Sequence, residues 1–291
     1  MPPNILICLD TDPQPSVFDS VVAVDAGVDH LLRHGGVKPE DVRDLVHGAM
    51  FTRGGASLKH TAVFIGGSDV QAGEELLAAA EKAFFGPVRV SLMHDSNGSN
   101  TTAAAAVVAA RRHLPFGPET TATVLGGTGP VGQRVVRMLV QEGVEVRVAS
   151  RKIARAEGVC HRVAKAVSGA RVTPHSTEGS DVASLVQGVQ LVIAAGAAGV
   201  ELLGEQARQN ASLLQVAIDL NAVPPAGVGG IQANDKAAQR NDQTCYGALG
   251  VGGLKMKIHK AAINQLFQSN DAVLNADEIY ALGKEVAGRE S

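Results

Sequence analysis

The sequence TVLGGTGPVGQRVV, residues 123–136, joins an apolar segment to a helix-like segment through a glycine-rich turn. The turn contains the spacing G-x-G-x-x-G at Gly127, Gly129 and Gly132. An apolar strand before this spacing and an apolar-periodic helix after it are the context in which the motif predicts a dinucleotide site. The first glycine permits the tight turn, the second lets the backbone approach a pyrophosphate, and the third lets helix and strand pack closely.

Thr128, Pro130 and Val131 complete the predicted phosphate-binding turn. Proline costs little in the first turn of a helix, because its missing N–H would not be used there. The remaining free amides and the helix dipole favour a phosphate group. A purely structural glycine-rich turn is the alternative, and the flanking strand and helix favour dinucleotide binding over it.

The next predicted strand, EVRVAS, ends at Ser150 and is followed by Arg151 and Lys152. In NAD-binding proteins of this class, an acid at this point binds the ribose 2′-hydroxyl. A hydroxyl and two cations would instead attract a 2′-phosphate, since arginine donates two hydrogen bonds to phosphate and lysine adds a point charge. The triplet therefore predicts a preference for NADP, although nothing in it excludes NAD. A solvated basic helix start is the alternative.

Strand-like and helix-like segments alternate on both sides of the turn, which predicts an α/β protein with two α/β domains linked by helices. Residues 1–100 are predicted to form the first domain. Residues 101–255 are predicted to form the second, a Rossmann-like domain with a doubly wound parallel sheet. The helix-like residues 256–291 are expected to pack back on the first domain.

Composition argues against several other classes of protein. The net charge of -3 disfavours a nucleic-acid or anionic-membrane partner, because both need a concentrated basic face. Three separated cysteines, and histidines with no third ligand nearby, indicate neither a disulfide framework nor a metal site. No apolar stretch is long enough to span a bilayer. Reduced thiols indicate a cytoplasmic location.

Polar and small residues at other strand ends complete the predicted sites, because ligands bind at the carboxyl ends of parallel strands. Ala195, Gly196 and Asn221 are predicted to border the cofactor. The residues predicted to bind the substrate all belong to the first domain: Asp12, Ser16, Asp19, Arg53, Asp95, Asn97 and Asn100. Helix capping is the alternative role for several of them.

Four long motifs, at residues 10–30, 95–105, 221–231 and 247–261, accompany the glycine turn and the Ser-Arg-Lys triplet. Together they resemble the bacterial NADP-dependent methylenetetrahydromethanopterin dehydrogenases over nearly the whole chain. The resemblance implies oxidation of methylene-tetrahydromethanopterin to the methenyl form, within formaldehyde oxidation and one-carbon metabolism. It also implies that tetrahydrofolate is an alternative pterin and that NAD is accepted by some members.

The implied reaction removes a hydride from the methylene carbon with no metal and no proton transfer in that step, so the enzyme contributes orientation and electrostatics. On that logic Phe18 is a candidate wall against the pterin. Lys255 or Lys257 is a candidate hydrogen-bond donor to a pterin or cofactor oxygen, and only one of the two is expected to face the site. Asp19 or Asp95 is expected to balance the growing positive charge.

Two other functions remain open from the sequence. A shikimate-dehydrogenase-like enzyme would need a proton acceptor, commonly a Lys-Asp pair, and Lys59 in a loop-like segment is not a convincing member of one. An NADP-sensing protein without activity would need no polar-rich first domain. Alanine-rich helical surfaces are expected to pack copies of the chain into a homo-oligomer.

Overall fold

The computed structural model describes residues 2–179 and 182–289. They form two compact units: residues up to Thr101 together with those from Met256 onward, and Thr102–Lys255. Each unit has its own sheet, and helices alternate with strands in both. The α/β class predicted from the sequence is therefore confirmed.

In chain order the described strands are β1 (Ile5–Asp10), β2 (His30–His34), β3 (Thr61–Gly66), β4 (Ser91–His94), β5 (Thr121–Leu125), β6 (Glu145–Ser150), β7 (Val172–Ser176), β8 (Leu191–Ala194), β9 (Val216–Asp219), β10 (Ala238–Arg240), β11 (Gln243–Tyr246) and β12 (Val273–Leu274). The helices are α1 (Val17–Asp25), α2 (Pro39–Phe51), α3 (Val70–Lys82), α4 (Ser99–Arg111), α5 (Pro130–Gln141), α6 (Ile153–Ala166), α7 (Val182–Leu185), α8 (Glu205–Gln209), α9 (Ala248–Gln265) and α10 (Ala276–Gly288). None of the described helices combines the length and apolar character needed to cross a lipid bilayer.

The sheet of the first unit has the order β12-β4-β3-β1-β2, and every neighbouring pair is parallel. β1 and β3 lie at its centre and are almost continuously apolar, as expected for parallel strands covered on both faces. Side chains of α2 and α3 join those of the two strands in one core: Val42, Val46, Leu76 and Leu77 with Ile7, Leu9, Val63 and Ile65.

The sheet of the second unit has the order β10-β11-β9-β8-β5-β6-β7, and only the β10–β11 pair is antiparallel. From β5 the chain proceeds to β6 and β7 on one side, and then to β8, β9 and β11 on the other. This reversal is the switch point of a doubly wound sheet, outside which ligands bind. The Rossmann-like sheet predicted for this part of the chain is confirmed.

Arg208 of α8 is among the largest fully buried side chains of the described residues, with 1% of its surface exposed. Its guanidinium donates to the Gly229 carbonyl at 3.0 Å and to the Gln243 side-chain oxygen at 2.6 Å. Gln243 of β11 donates back to the Arg208 carbonyl at 3.0 Å. Because a buried charge is tolerated only when its donors have acceptors, this network ties α8, β11 and the loop after β9 together.

We expect Arg208→Met to lower the free energy of unfolding by about 2–4 kcal/mol, because the Gly229 carbonyl and the Gln243 oxygen lose their buried donor. The matched control Arg155→Met, at an exposed position of α6, should change it by less than about 0.5 kcal/mol. Urea unfolding followed by circular dichroism makes the comparison. The tethering role is wrong if Arg208→Met unfolds at the same midpoint as its control.

Candidate functional site

The turn between β5 and α5 forms at glycines, but its left-handed residue is Gly126 and not Gly127. Gly126 has a φ of +71°, a conformation that residues with a Cβ rarely adopt. Gly127 is required for another reason, since a Cβ there would lie 2.9 Å from a methyl group of Val148 on β6. The tight turn that the sequence analysis attributed to Gly127 therefore belongs to its neighbour.

The other two glycines of the motif have opposite surroundings. A Cβ on Gly132 would lie 2.5 Å from the Gly126 carbonyl oxygen, so α5 can approach the end of β5 only with glycine here. A Cβ on Gly129 would make only ordinary contacts, the nearest at 3.5 Å to the Ala195 carbonyl oxygen. Among the described residues no side chain covers this position of Gly129, which leaves space for the backbone approach of a pyrophosphate.

The first turn of α5 presents backbone amides without an acceptor. Gly129 is the N-cap and Pro130 the first helical residue, so no cap side chain accepts from the amides that follow. Within the described part of the chain, the amides of Val131 and Gly132 donate to no protein atom. A helix start of this kind suits a phosphate group. The residues present therefore fit the predicted dinucleotide.

Ser150 connects the end of β6 to the glycine turn. Its hydroxyl lies 3.1 Å from the hydroxyl of Thr128, at hydrogen-bonding distance. Ser150 is 8% exposed, whereas Arg151 and Lys152 after it have exposed side chains. The structure thus brings the predicted 2′-phosphate residues beside the predicted pyrophosphate turn, with both cations open to solvent.

Ala195 and Gly196 lie beside the same turn. The Ala195 amide donates to the Leu125 carbonyl at 2.8 Å, which holds the ends of β8 and β5 together. The backbone of Gly196 comes so close to Gly126 that a Cβ on Gly126 would lie 2.6 Å from the Gly196 Cα. Both predicted residues therefore border the space next to the glycine turn.

The loop after β9 is organised by Asp219, which the sequence analysis did not select as a site residue. Its buried carboxylate accepts hydrogen bonds from the amides of Asn221 at 3.0 Å, Gly227 at 2.7 Å and Val228 at 3.2 Å. Burial raises the pKa of this carboxyl, and the three amide bonds oppose that rise. The signal in the sequence was an acid at the end of an apolar strand just before a glycine-rich loop.

The hydrogen bonds of the Asn221 side chain go to backbone groups of the loops after β8 and β9. Its Oδ1 accepts from the amides of Val223 at 2.9 Å and Gly199 at 3.3 Å, and its Nδ2 donates to the Pro225 carbonyl at 2.8 Å. All three partners are backbone groups. Asn221 therefore joins the loops after β8 and β9, and its effect on a ligand would be to hold these loops in place.

At the carboxyl edge of the first unit's sheet, Asp10 organises the residues after β1. Its carboxylate accepts from the amides of Asp12 at 2.8 Å and Ser16 at 2.9 Å. Ser16 caps α1 by accepting from the Asp19 amide at 3.1 Å. Asp12 accepts from the amide and hydroxyl of Ser68, at 3.0 and 2.8 Å. The structure thus brings Asp12, Ser16 and Asp19 together around Asp10, which the sequence analysis missed.

A small cavity of about 10 Å³ lies beneath this cluster, with room for one water-sized group. Cys8, Asp10, Asp19 and Phe64 are among the residues that line it. Burial, followed by the charge of Asp19, raises the pKa of the Cys8 thiol to about 12. The thiol is therefore protonated at neutral pH and does not supply a nucleophile there.

Phe18 on α1 is half-exposed, with 51% of the residue's surface open to solvent. Its ring centroid lies 6.4 Å from that of the buried His259 on α9, and Phe64 stacks on the same imidazole at 5.8 Å. The exposed part of Phe18 is available to a flat ligand. On α9, the Lys255 side chain is half-buried and that of Lys257 is exposed.

Asp95, Asn97 and Asn100 follow β4 but have different roles. The buried Asp95 carboxylate accepts from the amides of Asn100 at 2.8 Å and Thr101 at 3.0 Å, and from the Thr101 hydroxyl at 2.6 Å. The buried Asn100 side chain donates to the His94 carbonyl at 2.6 Å. Both therefore support the start of α4. Asn97 has a φ of 54° and an exposed side chain.

Arg53 lies apart from the other predicted substrate residues. It donates to the carbonyls of Pro3 at 2.9 Å and His60 at 2.6 Å, which precede β1 and β3. Arg53 is thus at the amino-terminal edge of the parallel sheet, because residues 52–60 lead from α2 to the start of β3. Lys59 lies at the same edge, away from the carboxyl edge where a proton acceptor for a shikimate-type reaction would be needed.

Comparison with known proteins identifies relatives of the whole chain. A family model described as methylene-tetrahydromethanopterin dehydrogenase, N-terminal, matches residues 17–97. The bifunctional protein MdtA of Methylorubrum extorquens is 44% identical over 290 residues, which are 99% of this chain and 100% of that protein. The NAD(P)-dependent methylenetetrahydromethanopterin dehydrogenase of the same organism is 29% identical, over 94% of this chain and 95% of that protein.

Among solved structures, the chain is similar to quinate dehydrogenase from Corynebacterium glutamicum in complex with NAD, with a TM-score of 0.50. The match covers 96% of this chain and 98% of that chain at 14% identity. At this identity the likeness shows the fold alone.

We expect alanine at two glycines of the turn to have separable effects. Gly129→Ala should change the free energy of unfolding by less than about 0.5 kcal/mol, because the added methyl has room, yet it should weaken dinucleotide binding. Gly132→Ala should lower the free energy of unfolding by about 1–3 kcal/mol, because its methyl meets a backbone carbonyl. Thermal unfolding and titration of NADPH fluorescence measure the two effects. Unchanged NADPH affinity in Gly129→Ala would contradict the assignment of the open space to the pyrophosphate.

Proposed function

Because the chain belongs to the methylene-tetrahydromethanopterin dehydrogenase family, we propose that it oxidises methylene-tetrahydromethanopterin to methenyl-tetrahydromethanopterin with NADP⁺. The observation that carries the proposal is the pairing of an uncapped, glycine-rich helix start with a hydroxyl and two cations at the end of β6. The name of the NAD(P)-dependent relative, which matches nearly the full length of the chain, supports the reaction and the cofactor class, and the family model matched to residues 17–97 supports the pterin. NADP⁺, when bound, supplies a two-electron acceptor for hydride.

The second unit would hold the cofactor. The Val131 and Gly132 amides would donate to the pyrophosphate, and Gly129 would leave the space for it. Arg151 would donate to the 2′-phosphate with two N–H groups, and Lys152 would add a second positive charge. Thr128 and Ser150 would offer hydroxyls next to both groups. Ala195 and Gly196 would border the cofactor, while Asn221 would act by holding the loops beside it.

The first unit would hold the pterin. The exposed part of the Phe18 ring offers a flat apolar surface, and the packing of that ring on His259 holds it in place. As the hydride leaves, positive charge develops on the substrate, and a carboxylate already in position would stabilise it without reorganising. We assign that role to Asp19, which directly follows Phe18 in α1 and lines the cavity next to Asp10. Asp12, Ser16 and Asn97 remain candidates for polar contacts with the pterin.

We also propose that the protein acts as a homo-oligomer in the cytoplasm. The sequence led us to expect alanine-rich helical surfaces to associate, but the alanines of α4 are buried and do not form such a surface. The outward face of α1 instead carries Val17, Val21 and Val24, each more than half exposed. An apolar stripe at this spacing supports association between copies.

Purified protein mixed with methylene-tetrahydromethanopterin should reduce NADP⁺ faster than NAD⁺, measured by the absorbance of the reduced nicotinamide. Arg151→Ala should lower kcat/KM for NADP⁺ by about tenfold or more and leave that for NAD⁺ nearly unchanged, because only NADP⁺ carries the 2′-phosphate. Arg155→Ala, an exposed cation one turn along α6, is the matched control. Equal rates with both cofactors would contradict the phosphate assignment. No reduction with this pterin or with methylene-tetrahydrofolate would contradict the proposed reaction.

The two lysines of α9 should differ in their effect on turnover. Residues two apart on a helix point in different directions, so only one of Lys255→Met and Lys257→Met should lower kcat, by about tenfold to a hundredfold if it loses a charge-assisted hydrogen bond to the reacting groups. Steady-state assays of each variant, with thermal unfolding to check folding, make the comparison. If both variants retain full turnover, neither lysine is catalytic.

A further inference from the structure

Gln133, in the first turns of α5, bonds back to the glycine turn. Its Nε2 donates to the Thr128 carbonyl at 2.9 Å, and its own amide donates to the Gly129 carbonyl at 3.0 Å. Thr128 precedes the N-cap Gly129, so its carbonyl lies outside the hydrogen-bond ladder of α5, which begins with the bond from the Gln133 amide to the Gly129 carbonyl. The Gln133 side chain gives the Thr128 carbonyl a donor, and the Gly132 amide, in the first turn of the helix, donates to no described protein atom.

A second contact fixes the orientation of the Gln133 amide. Arg162 of α6 donates from Nη2 to Gln133 Oε1 at 2.8 Å. A Cβ on Gly158 would lie 3.6 Å from Arg162 Nη1, so the guanidinium lies across a glycine of its own helix. A guanidinium only donates and a carbonyl only accepts. The oxygen of Gln133 must therefore face Arg162, and its NH₂ group must face Thr128.

Thr128 is thus held at two points. Its carbonyl accepts from Gln133, and its hydroxyl is paired with the Ser150 hydroxyl at 3.1 Å. The Thr128 carbonyl oxygen can face away from the amides of the first turn of α5, or it can face toward them. In the second orientation it would compete with a bound phosphate for these amides. A carbonyl oxygen that turned toward a bound phosphate would also repel it.

We propose that Gln133, oriented by Arg162, is a positioning residue for the cofactor's pyrophosphate. It holds the Thr128 carbonyl away from the Val131 and Gly132 amides, and this leaves both amides to donate to the pyrophosphate. This inference rests on the proposed binding of NADP at the glycine turn. Because NADP and NAD share the pyrophosphate, Gln133 contributes equally to the binding of both, in contrast to Arg151.

The test is calorimetric titration of full-length wild-type and variant proteins with NADP⁺ and with NAD⁺. Gln133→Met keeps the length of the side chain and removes its amide. We expect it to raise the Kd of both cofactors by the same factor, about fivefold to thirtyfold. Arg162→Met should act in the same direction by a smaller factor. Gln206→Met, an exposed amide on α8, is the matched control and should bind both cofactors as the wild type does.

Phosphorus NMR of bound NADP⁺ separates positioning from a general loss of structure. Gln133→Met should shift the two pyrophosphate resonances and leave the 2′-phosphate resonance in place, whereas Arg151→Ala should do the reverse. Unchanged Kd values and pyrophosphate resonances in Gln133→Met would overturn the inference, as would weakened NADP⁺ binding with unchanged NAD⁺ binding.

Failure of the proposed function and failure of the inference about Gln133 give different results. A wild-type protein that binds neither cofactor overturns the proposed function, and this inference with it. A wild-type protein that binds NADP⁺, with Gln133→Met binding just as well, overturns only the role of Gln133. If Gln133→Met does not fold, Arg162→Met provides the test, because it removes only the contact that orients the Gln133 amide. Unchanged Kd values for both cofactors in Arg162→Met would then overturn the inference.

Discussion

Close backbone contact at the carboxyl end of β5 is the constraint on which the second unit depends. Gly126 and Gly196 meet backbone to backbone, and Gly132 lets the start of α5 approach Gly126. Any Cβ at Gly126 or Gly132 would fall within a distance that real side chains do not reach. The contact brings the first turn of α5 to the switch point of the sheet, where a doubly wound fold binds its ligand. The open space at Gly129 and the uncapped amides of α5 follow from that placement.

Buried carboxylates at strand ends are a second feature that both units share. Asp10 is the last residue of β1, Asp219 is the last residue of β9, and Asp95 directly follows β4. Each accepts hydrogen bonds from at least two backbone amides of the segment that follows. Loops at the carboxyl edge carry the ligand-binding residues, and an internal acceptor holds such a loop in one conformation before any ligand binds. Acids that resemble catalytic groups in the sequence therefore serve as loop anchors in the structure.

The proposed chemistry is consistent with that use of acids. Hydride transfer from a methylene carbon needs no general base, so a protein that performs it can use most of its carboxylates for structure. What it needs is a flat surface beside the substrate, a nearby negative charge and a well-positioned cofactor. The half-exposed Phe18 ring is the candidate flat surface, and Asp19, which lines the small cavity, is the candidate negative charge. The contacts from Thr128 through Gln133 to Arg162 are proposed to position the cofactor.

The sequence by itself determined the α/β class, the glycine turn, the Ser-Arg-Lys triplet at the end of β6 and the family, because each of these depends on local residue spacing or on long motifs. Tertiary structure decided which polar residues share a site. Arg53 follows a helix and precedes a glycine pair, like a ligand-binding residue, yet it bonds to carbonyls at the amino edge of the sheet. Asn221 bonds to backbone groups of the loops after β8 and β9, and Asp95 bonds to the first residues of α4. The left-handed residue of the glycine turn is Gly126. Residue type states what a side chain can donate or accept, but only the fold brings a particular amide or carbonyl within reach of it.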